Sequence, residues 1–96
     1  MQFLIPSSHP ALKGHFPERP IVPAVLILEE VLAVAQPPSP GRIAGVTQAK
    51  FTSVLLPDQT CRITLSPSSQ GLRFTCRTGA DRIVATGLLT VIADTP

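Results

Sequence analysis

From Ala24 to Ala35 every position is apolar except Glu29 and Glu30, and no Pro or Gly intervenes before Pro37. Leu, Ala and Glu favour a helix there. Pro23 suits its start, where a missing N–H costs nothing, and the run Pro37-Pro38-Ser39-Pro40-Gly41 ends it. The pattern predicts a helix over 24–36, about 20 Å long. A helix that is apolar nearly all round is enclosed rather than laid on a surface, so the rest of the chain is expected to wrap it. Upstream, Pro6, Pro10, Pro17, Pro20 and Pro23 bar any continuous helix and predict an ordered, looping lead-in.

Downstream, residues 42–52, 59–66, 71–78 and 82–93 run or alternate apolar with β-branched side chains between turn signals, which predicts four strands. A turn around Pro67-Ser68-Ser69-Gln70 sets Leu65 opposite Leu72, Ile63 opposite Phe74 and Cys61 opposite Cys76. Period two puts these six on one face and Arg62, Thr64, Arg73, Thr75 and Arg77 on the other. A second turn at Thr78-Gly79-Ala80-Asp81 places Ile83 beside Cys76 and Ala85 beside Phe74. The result is an antiparallel meander with one apolar face, on which the helix packs. Cys61 and Cys76 then read as core residues rather than a redox pair, since free Cys is among the most buried residue types.

Composition narrows the class of protein. The chain has 96 residues, of which 44% are hydrophobic and 15% charged, which excludes a disordered segment. It is read as one domain, 1–96, whose thin core would gain from packing against a second copy. A net charge of +2 and the absence of Trp and Tyr argue against nucleic acid as a partner. The longest apolar stretch falls short of the roughly 20 residues that span a bilayer, so no membrane insertion is expected. No signal peptide is evident in MQFLIPSSHP. Two cysteines make neither a disulfide framework nor a zinc pattern, and the expected setting is the reducing cytoplasm.

Few groups can act near neutral pH: His9, His15, six carboxylates and the two thiols. The chain lacks a G-x-S-x-G elbow, a G-x-G-x-x-G turn and a phosphate-binding Gly-Lys loop, which disfavours serine hydrolases, dinucleotide enzymes and nucleotide hydrolases. Ligand spacing suggests no metal site. Glu29 is the most informative residue, because a carboxylate among Val25, Leu26, Ile27, Leu28, Val31 and Leu32 is costly to bury unless it is paired, protonated or facing a cavity. The plain alternative is that Glu29 and Glu30 mark a solvent-facing stripe. His15 lies between Gly14 and Phe16-Pro17 in a constrained loop ahead of the helix. His9 has weaker context and is read as structural.

Gly14-His15-Phe16-Pro17-x-x-Pro20-x-x-Pro23-Ala24-Val25-Leu26-x-x-Glu29 resembles the active-site motif of the 3-hydroxyacyl-[acyl carrier protein] dehydratases of the hot-dog fold. In that family the motif places a His on the loop and an acid on the central helix. Gly45-Val46-Thr47-Gln48-Ala49-Lys50-Phe51, followed by Pro57-Asp58, is similar to the family's next strand and turn. The resemblance implies an α+β hot-dog fold, a curled antiparallel sheet wrapped around one long central apolar helix. It also implies a dimer, of identical or related subunits, whose sheets join and whose active sites lie at the interface.

The implied reaction removes water from a 3-hydroxyacyl thioester to give the trans-2-enoyl thioester, without a cofactor. His15 would take the α proton, and Glu29 of the other subunit would protonate the departing hydroxyl. An enclosed carboxyl stays protonated to higher pH, as a proton donor requires. A backbone N–H of Ala24 or Val25, aided by the helix dipole, would polarise the carbonyl, with Phe16 and Pro23 beside the substrate. The acyl group would arrive on the phosphopantetheine arm of an acyl carrier protein, an acidic partner for some of Arg19, Arg42, Arg62, Arg73, Arg77 and Arg82.

The chain departs from the family at Ala24, where the family has Gly, at Ala33, where it has a polar residue, and at Pro57-Asp58, which lacks the family's intervening Gly. These departures point either to an unusual acyl group, as in the small dehydratases of aryl-polyene or pigment pathways, or to a weakened enzyme. A non-catalytic hot-dog subunit that binds carrier protein or pairs with an active homologue is the main alternative, and a hot-dog thioesterase is a third.

Overall fold

The computed structural model describes residues 1–12, 21–35, 41–79 and 81–92, and every structural statement below concerns these. One helix lies against a five-stranded antiparallel sheet. The elements in chain order are β1 (Gln2–Phe3), a 3-10 turn at Pro10–Leu12, α1 (Ala24–Val34), β2 (Arg42–Phe51), β3 (Cys61–Ser68), β4 (Gly71–Thr78) and β5 (Arg82–Ile92). The strands are ordered β1-β3-β4-β5-β2. β1 and β2 therefore lie at opposite edges, and the stretch containing α1 carries the chain from one to the other. Residues 52–60 carry it back.

The four expected strands are all present, and their faces follow the period-two reading. Cys61, Ile63, Leu72, Phe74 and Cys76 are buried on the inner face, joined by Ala85 and Leu89 of β5. Arg62, Thr64 and Arg73 are exposed on the outer face. Leu26, Ile27 and Val31 of α1 belong to the same buried cluster, together with Ile5, Leu12, Val22 and Leu55 from the connecting segments.

Registers differ from the sequence expectation by two residues. Leu65 pairs with Phe74, Ile63 with Cys76 and Cys61 with Thr78, because the turn falls at Ser69-Gln70, with Ser68 opposite Gly71. Pro67 thus lies within β3 rather than in the turn. A strand Pro is tolerated where an outer neighbour is missing, and β1 pairs only with Cys61 and Arg62 of β3. Gly71, at φ 145, lets β4 begin against the backbone carbonyl of Leu89, where a side chain would overlap it. The next hairpin is displaced likewise: Cys76 pairs with Ala85 and Phe74 with Gly87, while an irregularity beyond Cys76 brings Ile83 opposite Arg77. A two-residue slip preserves which side chains face inward, so the apolar face survived the error in register.

The helix also departs from expectation. It ends at Val34, with Ala35 as its cap, and is shorter than the predicted span. Nor is it enclosed by its own chain. Leu26, Ile27 and Val31 are buried, whereas Val25 is 59% and Leu32 41% exposed. A lone sheet covers one side of a helix, and the remaining apolar side stays open.

Phe74 and Gly87 lock the inner face. A Cβ at Gly87 would overlap the Phe74 ring and the Gln48 carbonyl oxygen, and Phe74 is fully buried. Gly87→Ala should therefore cost about 1–3 kcal/mol or more, the usual range for overpacking a core. It is read as a lower urea midpoint at unchanged m-value.

Candidate functional site

Two of the expected site residues, His15 and Phe16, lie outside the described residues, as does Arg19. The others surround the start and outer side of α1. Pro23 is the N-cap, in extended conformation, and its carbonyl accepts from the Leu26 amide at 3.0 Å. Ala24 and Val25 occupy the exposed first turn, whose N–H groups have no acceptor within the helix. Glu29 is exposed. Positions 25, 29 and 32 share a helix face by the i, i+3, i+4 rule, so the carboxylate of Glu29 rises from the open apolar side, between Val25 and Leu32. Of the two readings of Glu29, the exposed one describes the chain by itself, because the sheet covers the opposite side of the helix. Glu30 is half-buried.

The segments on either side of 13–20 are firmly held. Ile5, Leu12 and Val22 are buried. The Val22 amide donates to the Leu55 carbonyl at 2.8 Å, and the Asp58 amide donates to the Ile5 carbonyl at 2.8 Å. Asp58 Oδ1 accepts from the Ser7 amide at 3.1 Å. The loop 52–60 that makes these bonds is itself tied to the sheet. The Thr52 amide donates to the Val84 carbonyl at 2.9 Å, Thr52 Oγ1 to the Ile83 carbonyl at 2.9 Å, and Arg82 to the Val54 carbonyl at 3.2 Å. Sequence reasoning missed this role of Asp58, which stood out only as part of the Pro57-Asp58 turn similar to the dehydratases'.

Of the arginines considered for docking, Arg62 pairs with Asp81 at 2.5 Å and Arg82 is engaged by Val54. Arg42 and Arg73 are exposed and Arg77 half-buried. Among the described residues no group of three or more His, Cys, Asp or Glu side chains could hold a metal ion, and no helix is long and apolar enough to cross a membrane.

The comparisons with known proteins fit this architecture. The family model for ApeI-like proteins, described as ApeI dehydratase, matches residues 1–88, and the chain belongs to that family. It is 38% identical over 69 residues to the 3-hydroxyacyl-[acyl-carrier-protein] dehydratase FabZ of Chloroflexus aggregans, covering 62% of this chain and 48% of the relative. The corresponding FabZ of Desulforamulus reducens is 38% identical over 68 residues, with the same coverage. The chain therefore spans about half the length of the curated relatives it matches.

Among solved structures, the dehydratase heterocomplex ApeI:P from Xenorhabdus doucetiae superposes with a TM-score of 0.72 at 22% identity, covering 94% of this chain and 82% of that one. An uncharacterised protein from Erwinia carotovora subsp. atroseptica gives 0.73 at 22%, covering 97% and 81%. The fold is a hot-dog-like curled sheet with one short helix, and the chain is a member of the hot-dog dehydratases.

The two thiols stand apart from this region. Cys61 and Cys76 are free and fully buried. Their mutual hydrogen bond, together with burial, pushes the Cys76 thiol far up, while the same bond, with Arg62 nearby, holds Cys61 down. A Cys76 thiol kept neutral and out of solvent is inert. Both cysteines should resist an aromatic disulfide reagent in the native protein at pH 8. They should react together on unfolding in urea, in one cooperative phase that tracks the loss of circular dichroism.

Proposed function

We propose that this protein is a cytoplasmic dehydratase acting on 3-hydroxyacyl thioesters carried by an acyl carrier protein, as a dimer with itself or with a related hot-dog subunit. The observation that carries this reading is the position of Glu29 on the open apolar side of α1. A carboxylate flanked by exposed Val25 and Leu32 is poorly placed for a lone chain and well placed for a site that a second subunit covers. The FabZ relatives support the substrate class.

In the proposed reaction the imidazole of His15 removes the proton α to the thioester carbonyl, and the electron pair forms the C2–C3 double bond. The C3–O bond breaks as Glu29 of the other subunit gives its proton to the hydroxyl, which leaves as water. The proton held by His15 must return to the Glu29 carboxylate before the next turnover. Negative charge building on the thioester oxygen faces the first-turn amides of Ala24 and Val25, which are oriented by the helix and backed by its dipole. Pro23, fixed in extended geometry, sets where that turn begins, and Phe16 would flank the acyl group.

Removing either acid-base group should lower the rate by about 10²–10⁴-fold. His15→Ala and Glu29→Gln are each expected to abolish the loss of one water from 3-hydroxybutyryl and 3-hydroxyoctanoyl carrier-protein thioesters, read by mass spectrometry, while melting stays within a few degrees of the parent. Release of free thiol instead of water would indicate a thioesterase.

A second reading is a non-catalytic subunit. Ala24 favours it, because its methyl group stands where the family's Gly leaves room, and the fold is shared with a dehydratase heterocomplex. Carrier-protein binding that survives both substitutions, with no water lost by the parent chain, would establish it. Covering of the open helix face is common to both readings. Leu32→Glu should leave circular dichroism unchanged, since Leu32 is already 41% exposed, yet weaken subunit association by at least about tenfold, or 1.4 kcal/mol, in sedimentation equilibrium.

A further inference from the structure

The loop 52–60 crosses the end of the sheet and holds both flanks of the segment that contains His15. On one flank it holds Val22 through the Leu55 carbonyl, and Leu55 is itself 1% exposed. On the other flank it acts through Asp58. Asp58 takes a left-handed backbone conformation, with φ 63, a geometry that Asp tolerates better than most residues. In it, the amide meets the Ile5 carbonyl and the carboxylate meets the Ser7 amide, so the two bonds bracket Pro6. From Ser7 the chain continues in two successive hydrogen-bonded turns. The His9 amide donates to the Pro6 carbonyl at 2.9 Å and the Leu12 amide to the His9 carbonyl at 3.0 Å. These turns link Ser7 to Leu12, directly before residue 13.

We propose that Asp58 is a positioning residue, whose carboxylate sets the path of Ile5–Leu12 and thereby the approach of the chain to His15. It touches no reacting atom. Its oxygen is a charge-assisted acceptor for an amide 51 positions away. The role bears on catalysis through the proposed use of His15, because misplacing a reacting group by about 1 Å can cost 10²-fold.

The test compares Asp58→Gly with Asp58→Asn in the full chain. Glycine keeps the left-handed backbone and deletes the acceptor, whereas asparagine keeps both. Amide hydrogen exchange at Ser7, His9 and Leu12 is expected to speed up about tenfold or more in D58G and to change less than about twofold in D58N. In dehydration of a 3-hydroxyoctanoyl carrier-protein thioester, D58G should lower kcat by about tenfold with KM within about twofold, and D58N should restore most of the rate.

Unchanged exchange in D58G overturns the proposal. So does a D58G variant whose defects appear only as it unfolds, or a D58N variant as impaired as D58G. Should the parent chain leave the thioester intact, the dehydratase reading falls. The exchange comparison still decides whether Asp58 holds Ile5–Leu12.

Discussion

The burial of Leu26, Ile27 and Val31 against the inner face of the sheet is the contact on which the rest of the molecule depends. It fixes α1 in rotation as well as position, since side chains three and four apart share a face. Once those three point into the cluster with Phe74, Cys76 and Leu89, Val25, Glu29 and Leu32 must point out. The side of the helix left open is therefore settled by the packing of the opposite side. Burying an aliphatic side chain is worth about 1.5–3 kcal/mol, and a chain of this length has few to bury. A rotation that hid Glu29 would expose part of the small core that holds the helix in place.

Around that contact, the connecting segments do more than link elements. Ile5, Leu12, Val22 and Leu55 all lie outside the long strands and the helix, yet all are buried in the common core. Ile5, Leu12 and Val22 flank or lie within the proline-rich lead-in, and Leu55 lies in the loop that crosses to it. Loop 52–60 then joins these anchors to the sheet through backbone bonds to Val84 and Val22. Ile5, Ser7 and Val22 are thus tied by hydrogen bonds to one crossing loop. The described ends of the proline-rich lead-in satisfy several backbone groups in this way.

The strand pattern, the inner face and the helix start were legible in the sequence, because period-two and period-3.6 patterns and Pro23 report them directly. The registers were not. They depend on Gly71 closing against Leu89 and on Pro67 being tolerated in β3, both of which follow from what lies on neighbouring strands. The extent of wrapping was misjudged for a related reason: an all-round apolar helix reports that something covers it, not whether that is the same chain. Glu29 stood out by its setting, and its proposed role came from the motif shared with the dehydratases. Asp58 carried no comparable signal, since its partners lie more than fifty residues away in sequence.

The open helix face and the outer strand β2 make the same demand. Among the described residues β2 pairs with β5 alone, and all its side chains from Thr47 to Phe51 are exposed. A long strand edge left unpaired is a hazard that proteins usually cover or charge, and Arg42 and Lys50 supply charge without covering it. An apolar helix face with a carboxylate at its centre adds a second unmet surface. On the proposed reading one event answers both: a second hot-dog subunit pairs with the edge, encloses Glu29 and removes water from around it. Stability and acid-base chemistry would then share one interface, and a change that loosened either would be felt in both.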